Sequence, residues 1–396
     1  MRKFSSDYIF PVSEEPVKNG ILITEDDGTI IDLLRVESFD YSLTDVECFN
    51  GIICPGFVNT HCHLELSYLK GFMPEHQGLN EFIVQLEKIR KFEDDEIISA
   101  AVEAEKEMES NGIVAIGDIC NSIHTFEIKN KGTLRYHTFV ESFSSNPDRA
   151  EAAFEKALRL YASIKLNENN SSASITPHAP YSLSPALFEM IKKFAEEHQS
   201  IVTIHHQESE DENRFFHGSE QKISERQIQF GVASSVFYNT GLRPLPSIEK
   251  YLLHKNSLLL VHNTVSNNND IVFAKEHFKD LYWCFCPNSN LYIENMLPDF
   301  RIFMDAGCKI TLGTDSLAAN HCLSILDEMK TITLHAPFIE LETLIIWATK
   351  NGAEFLRFDD ILGTLEKGKQ PGINLIEGID INGQRLLPES RVRRLL

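Results

Sequence analysis

No window of this 396-residue chain approaches the ~18–20 consecutive apolar residues that a membrane span requires. The opening Met1-Arg2-Lys3-Phe4-Ser5-Ser6 has no apolar stretch behind it, so no secretory signal is expected. Basic residues are scarce: 37 Lys and Arg stand against 58 Asp and Glu, a formal charge of −21. That balance argues against nucleic acid or anionic membranes as partners and mildly against polyphosphate substrates. The eight cysteines show no metal-finger spacing. Cys284 and Cys286 fall on one side of a strand, and the set reads as reduced core residues of a cytoplasmic protein. A low-complexity linker and an internal repeat are also missing. What remains, 42% apolar and 24% charged, is globular.

The length suits an α/β barrel with an appendage. Short apolar runs rich in β-branched residues recur at Ile52–Val58, Ile113–Ile116, Tyr136–Val140, Ser174–Thr176, Ile201–Ile204, Leu258–Val261, Leu281–Cys286 and Lys309–Leu312. Amphipathic helical stretches lie between them. Asp94–Ser110 stops at Asn111-Gly112, and Ser184-Pro185 opens a helix with serine as cap and proline in the first turn. Eight β/α units predict a closed parallel barrel, with a doubly wound sheet as the alternative. The ends differ. Alternating runs at Gly20–Thr24 and Ile30–Arg35, with turns at Asp26-Asp27-Gly28 and Asn382-Gly383, predict one small β domain from residues 1–54 and 357–396, leaving 55–356 for the barrel.

In a parallel barrel the reactive groups sit where the strands end. The first run leads into His61 and His63, which share a face of an extended segment and can reach one point together. Two such imidazoles suit a divalent transition metal. A lone H-x-H is equally the pattern of surface or core histidines. The other strand ends are polar too: Asp118, Glu141, His178, His205-His206-Gln207-Glu208, His262-Asn263, Cys286–Asn290 and Thr314-Asp315. Six of eight strands ending in His or Asp is hard to explain as packing.

These motifs resemble those of the amidohydrolase superfamily, in its cytosine, guanine and adenosylhomocysteine deaminase and chlorohydrolase branch. The matching elements are P-G-F-V-N-T-H-C-H from Pro55, P-H-A-P-Y-S at 177–182, H-x-x-E at 205–208, V-H-N at 261–263, C-P-N-S-N at 286–290 and L-G-T-D at 312–315. The resemblance implies a distorted (β/α)8 TIM barrel, a small β-sandwich from both termini, and one divalent ion, zinc or else iron. It implies His61, His63, His205 and Asp315 as ligands, Glu208 as proton shuttle and His262 as a substrate-facing group. His63-Leu64-Glu65 resembles aminofutalosine deaminases, which would place Glu65 in the substrate site.

The chemistry fits those roles. A bound divalent ion lowers the pKa of its water to about 7. Asp315 can take the proton, and Glu208 can protonate the ring nitrogen beside the attacked carbon. The plain alternative for Glu208 is a solvated loop carboxylate, since Glu210, Asp211 and Glu212 continue an acidic run read as surface. The fourth strand contains no lysine, so the carboxylated-lysine bridge of two-metal relatives has no residue here and His178 is free for substrate or for capping a turn. Of His205 and His206, H-x-x-E favours His205 as the inward one. Glu81, on the helix after the first strand, is either a ribose contact or a solvated carboxylate. The expected activity is deamination of an aminated heterocycle, a purine base or nucleoside derivative. Alternatives are chlorohydrolase chemistry and, against the intact ligand set, a silent metal-binding scaffold. The expected partner is a small molecule, with a homodimer left open.

Overall fold

Gly56 divides the first apolar run into two strands with different destinations. Ile52–Pro55 pairs antiparallel with Ile373–Asp380, whereas Phe57–Cys62 pairs in parallel with Ile113–Cys120. A Cβ on Gly56 would lie 2.3 Å from Val114 Cγ1 and 2.7 Å from the Pro371 carbonyl oxygen, so only glycine passes there. The single strand expected over 52–58 is thus corrected. His61 lies inside the second strand rather than after it.

The computed structural model describes residues 1–35, 45–89, 92–164, 171–219, 222–229 and 239–396. Part of the segment 207–240, which follows the fifth strand, therefore lies outside the described residues. Eight strands follow the predicted order: β1 Phe57–Cys62, β2 Ile113–Cys120, β3 Arg135–Ser142, β4 Ser171–Pro177, β5 Val202–His206, β6 Ser257–His262, β7 Asp280–Phe285 and β8 Lys309–Leu312. They form two four-stranded parallel sheets, β1-β2-β3-β4 and β5-β6-β7-β8. The sequential order contains no reversal, which a doubly wound sheet needs. β1, β2 and β6 are buried along their whole length, as strands covered on both faces must be.

Hydrogen bonds link the two sheets at two places. At β1/β8 a parallel bridge joins Cys62 to Asp315, and the Thr314 and Asp315 amides donate to the His61 carbonyl at 3.1 and 3.0 Å. At β4/β5 a side chain stands in for the ladder. The Thr203 amide donates to Thr176 Oγ1 at 3.0 Å, and that hydroxyl donates back to the Thr203 carbonyl.

The helices start and stop where their caps require. Glu93 and Glu96 form a capping box before Asp94–Ser110, which ends at Asn111 with Gly112 at φ +75°. Ser184 Oγ accepts from the Leu187 amide at the head of Pro185–Glu197. Both chain ends supply two further sheets. One holds Arg2–Ser5, Ile21–Thr24, Ile30–Leu34 and Val46–Cys48; the other holds Tyr8–Ile9, Val17–Lys18, Ile52–Pro55, Ile373–Asp380 and Arg385–Arg394. Phe4, Ile9, Leu22, Ile53 and Leu375 form a buried cluster there, each worth about 1.5–3 kcal/mol on burial. All eight cysteines are free; five are buried, but Cys48 is exposed, so not every one is a core residue. Among the described residues no helix is long and apolar enough to cross a membrane.

Candidate active site

His61, His63 and His205 converge although 142 positions of chain separate the last two. His205 Nδ1 stands 2.8 Å from the His178 carbonyl oxygen, which can only accept, so Nδ1 carries the hydrogen. Nε2 is then a bare lone pair, 3.4 Å from His63 Nε2. One ring nitrogen from each of the three histidines lies within 4.8 Å of the others. Asp315 Oδ1 stands 3.8 Å from His61 Nε2 and 3.5 Å from His63 Nε2. Its other oxygen accepts from Ser289 Oγ at 2.6 Å, which fixes which oxygen faces the imidazoles. Asp315 holds φ at +57° and His262 at +74°, left-handed conformations unusual for these residues and found where a site over-determines the backbone.

This donor set fits a divalent cation. Both ring nitrogens of His61 are buried without a hydrogen-bond partner. Leaving them so costs free energy that a coordinate bond to a cation removes. Burial and the neighbouring rings hold His61 well below the usual histidine range, and burial pushes His63 and His205 down to about 3. All three are therefore neutral at pH 7, the form that ligates. Three imidazoles and a carboxylate suit zinc or iron.

A second group adjoins the first. The His262 ring stacks on His205 with centroids 5.5 Å apart. Its Nδ1 bonds Asn290 Oδ1 at 2.9 Å, and its Nε2 faces Glu208 Oε2 at 3.8 Å. Glu208 is buried, not solvated; that burial, reinforced by Asp315 and Glu294, raises its carboxyl well above the ordinary range. Of the acidic residues after it Glu210 is exposed, but Glu212 is 1% exposed, contrary to the surface reading of that run. Burial pushes Glu212 up to about 8, and its Oε1 is buried without a hydrogen-bond partner.

The remaining predicted residues fall in different places. His206 faces away from the cluster, bonding Asn263 Oδ1 at 3.0 Å. His178 is half-buried, its ring 4.8 Å from that of His205. Glu65 is buried, but its oxygens are taken by the Asn121 amide and the Ser122 hydroxyl. Glu81 is exposed and accepts from Gln85 at 3.1 Å. Asp118 is fully buried within β2, where it accepts from the Leu64 amide at 2.8 Å and pairs with Lys129 at 2.5 Å. Sequence reasoning missed Lys129, Glu212 and the bracing roles of Ser289 and Asn290. The last two stood in a quoted motif; nothing local marked the first two. A cleft of about 210 Å³ is lined by Gln77–Asn80, Ser209–Asp211, Arg214, Lys222 and Glu294, and none of the histidines borders it.

Known proteins resemble this chain over most of its length. The 5-methylthioadenosine/S-adenosylhomocysteine deaminase of Bacillus cytotoxicus is 27% identical over 374 residues, covering 90% of this chain and 80% of the relative. The crystal structure of Helicobacter pylori aminofutalosine deaminase in complex with methylthio-coformycin superposes with a TM-score of 0.80 at 19% identity, covering 96% of this chain and 93% of that one. The atrazine chlorohydrolase of Arthrobacter aurescens, complexed with zinc, gives 0.75 at 18% identity over 96% and 88%. At these identities the two structures establish the fold. Residues 52–391 match the profile of the amidohydrolase family, and this chain is a member of it.

Proposed function

We propose that this chain hydrolytically deaminates an aminated heterocycle, a purine base or purine nucleoside derivative, at a single divalent metal ion. Zinc is the preferred ion and iron the alternative. His61, His63, His205 and Asp315 would hold it; when bound, it supplies an acidified water as nucleophile. Asp315 Oδ1, the oxygen not occupied by Ser289, receives the water's proton. Glu208 protonates the ring nitrogen next to the attacked carbon, and His262 orients the group on that carbon. Asp315 passes the water's proton to the departing amine, and as the tetrahedral carbon collapses to a carbonyl its hydroxyl proton returns to Glu208. His178 lies toward the rest of the substrate.

The observation that carries this reading is Glu208, a buried carboxyl 3.8 Å from His262 beside the histidine cluster, raised by its burial well above the ordinary carboxyl range. A halide leaves without a second proton, so chlorohydrolysis requires less of this relay. The Bacillus relative is named as a deaminase of 5-methylthioadenosine and S-adenosylhomocysteine, which supports a purine nucleoside. We also read the two half-sheets as one distorted barrel (55–356), with the terminal sheets (1–54 and 357–396) as a sandwich beside it. The test is ammonia release from purines, pyrimidines, their nucleosides and aminofutalosine by metal-loaded protein. Release from purines or their nucleosides is expected; activity confined to pyrimidines, or none at all, overturns the assignment.

A further inference from the structure

The end of β3 carries a carboxylate that the reaction above does not use. Glu141 is buried, with its side chain 4% exposed. One oxygen, Oε2, accepts from Asn121 Nδ2 at 3.1 Å, and the Asn121 amide is itself tied to Glu65 at 3.0 Å. The other, Oε1, is buried with no hydrogen-bond partner. His205 Nδ1 stands 3.6 Å away, but its hydrogen is engaged by the His178 carbonyl at 2.8 Å. A carboxylate oxygen in this position has lost water and gained nothing in return.

What could approach it is limited by the surroundings. An oxygen of Glu141 and ring nitrogens of His178 and His205 lie within 4.8 Å of one another. A second cation is a poor occupant, because His205 Nδ1 holds a hydrogen and offers no lone pair. An anion is worse, facing Glu141 with Asp315 nearby. A neutral donor fits. Phe143, just past the end of β3, is half-exposed, its ring 5.7 Å from that of His178. An unpaired acceptor and an aromatic ring thus both adjoin His178.

We propose that Glu141 is a specificity-determining residue whose free oxygen accepts hydroxyl donors of a sugar borne by the heterocycle, so that the preferred substrate is a ribonucleoside with its vicinal hydroxyls intact and no anion beside them. This rests on the purine nucleoside reading. Glu65 and Asn121 act as positioning residues, holding the carboxylate so that Oε1 stays free.

The test uses the metal-loaded full chain and compares kcat/KM for adenosine, 2′,3′-dideoxyadenosine and adenine. Wild type should favour adenosine over the dideoxy compound by about tenfold to a hundredfold, the range of hydrogen bonds to a charged group. In Glu141→Ala that preference should fall to about threefold or less, with metal content unchanged, and Glu141→Gln should lie between. A structural role would lower both nucleosides together and keep their ratio, which overturns the proposal. If the variants do not fold, the wild-type ratio decides, and a value near one overturns it. Turnover of adenine or of no purine at all, with neither nucleoside accepted, removes the nucleoside reading itself. Turnover of both nucleosides without discrimination removes only the role of Glu141.

Discussion

Replacing Glu208 with glutamine should make the protein more stable and nearly inactive at once. The side chain is 7% exposed, and its burial beside Asp315 and Glu294 raises the folded carboxyl well above its ordinary value. In the folded state it therefore keeps its proton at pH values where the unfolded chain has lost it. Between the unfolded value, about 4.3, and the folded one, the native state binds more protons, so this group's contribution to stability falls as pH rises, by up to about 1.4 kcal/mol per unit. Glutamine preserves shape and cannot ionise, so that loss disappears. Metal-free Glu208→Gln should match wild type near pH 4 and exceed it progressively toward pH 7, read from thermal or urea unfolding. Loaded with metal, it should bind the ion normally and lose about 10²–10⁴-fold in turnover, or ~3–5 kcal/mol of transition-state stabilisation. Near-normal turnover, or a variant less stable than wild type at neutral pH, would refute the reasoning.

His205→Ala should lose the metal while His206→Ala keeps it, because only His205 presents a lone pair to His63; metal analysis decides, and the reverse pattern would mean the inward residue is misassigned. Lys129→Met should cost about 3–5 kcal/mol in urea unfolding by leaving the buried Asp118 without its cation; a loss under 1 kcal/mol would contradict a charged pair. His137, buried between Ser172 and Ser174, is pushed by burial down to about 3. The unfolded chain then binds more protons below pH ~6.5, so its contribution is complete above that value and is lost as pH falls toward 3. His137→Gln should flatten that part of the acid-unfolding profile, and an unchanged profile would refute the assignment.

Much of the site was legible because parallel strands confine chemistry to their ends, and H-x-H, H-x-x-E and G-T-D stand at three of those ends. What was illegible had no local signature. The run Ile52–Val58 is apolar throughout, and periodicity cannot reveal that Gly56 sends its halves to different sheets. Glu212 sits in an acidic run that looks solvated, yet the helical turn Glu210–Phe216 rotates it inward and buries it. Lys129 lies on a short polar helix, and only the fold places it against Asp118, eleven positions earlier. Asp118 looked like a strand-end group because the β2 run seemed to stop at Ile116; the strand continues to Cys120 and keeps it inside.

The central claim is that a protonated Glu208 and an accepting Asp315 make ammonia the leaving group. Direct detection of both products, ammonia and chloride, from matched amino- and chloro-substituted purines and purine nucleosides tests it most closely. The account predicts ammonia release from the amino compounds. Chloride release with no turnover of the amino partners would contradict it.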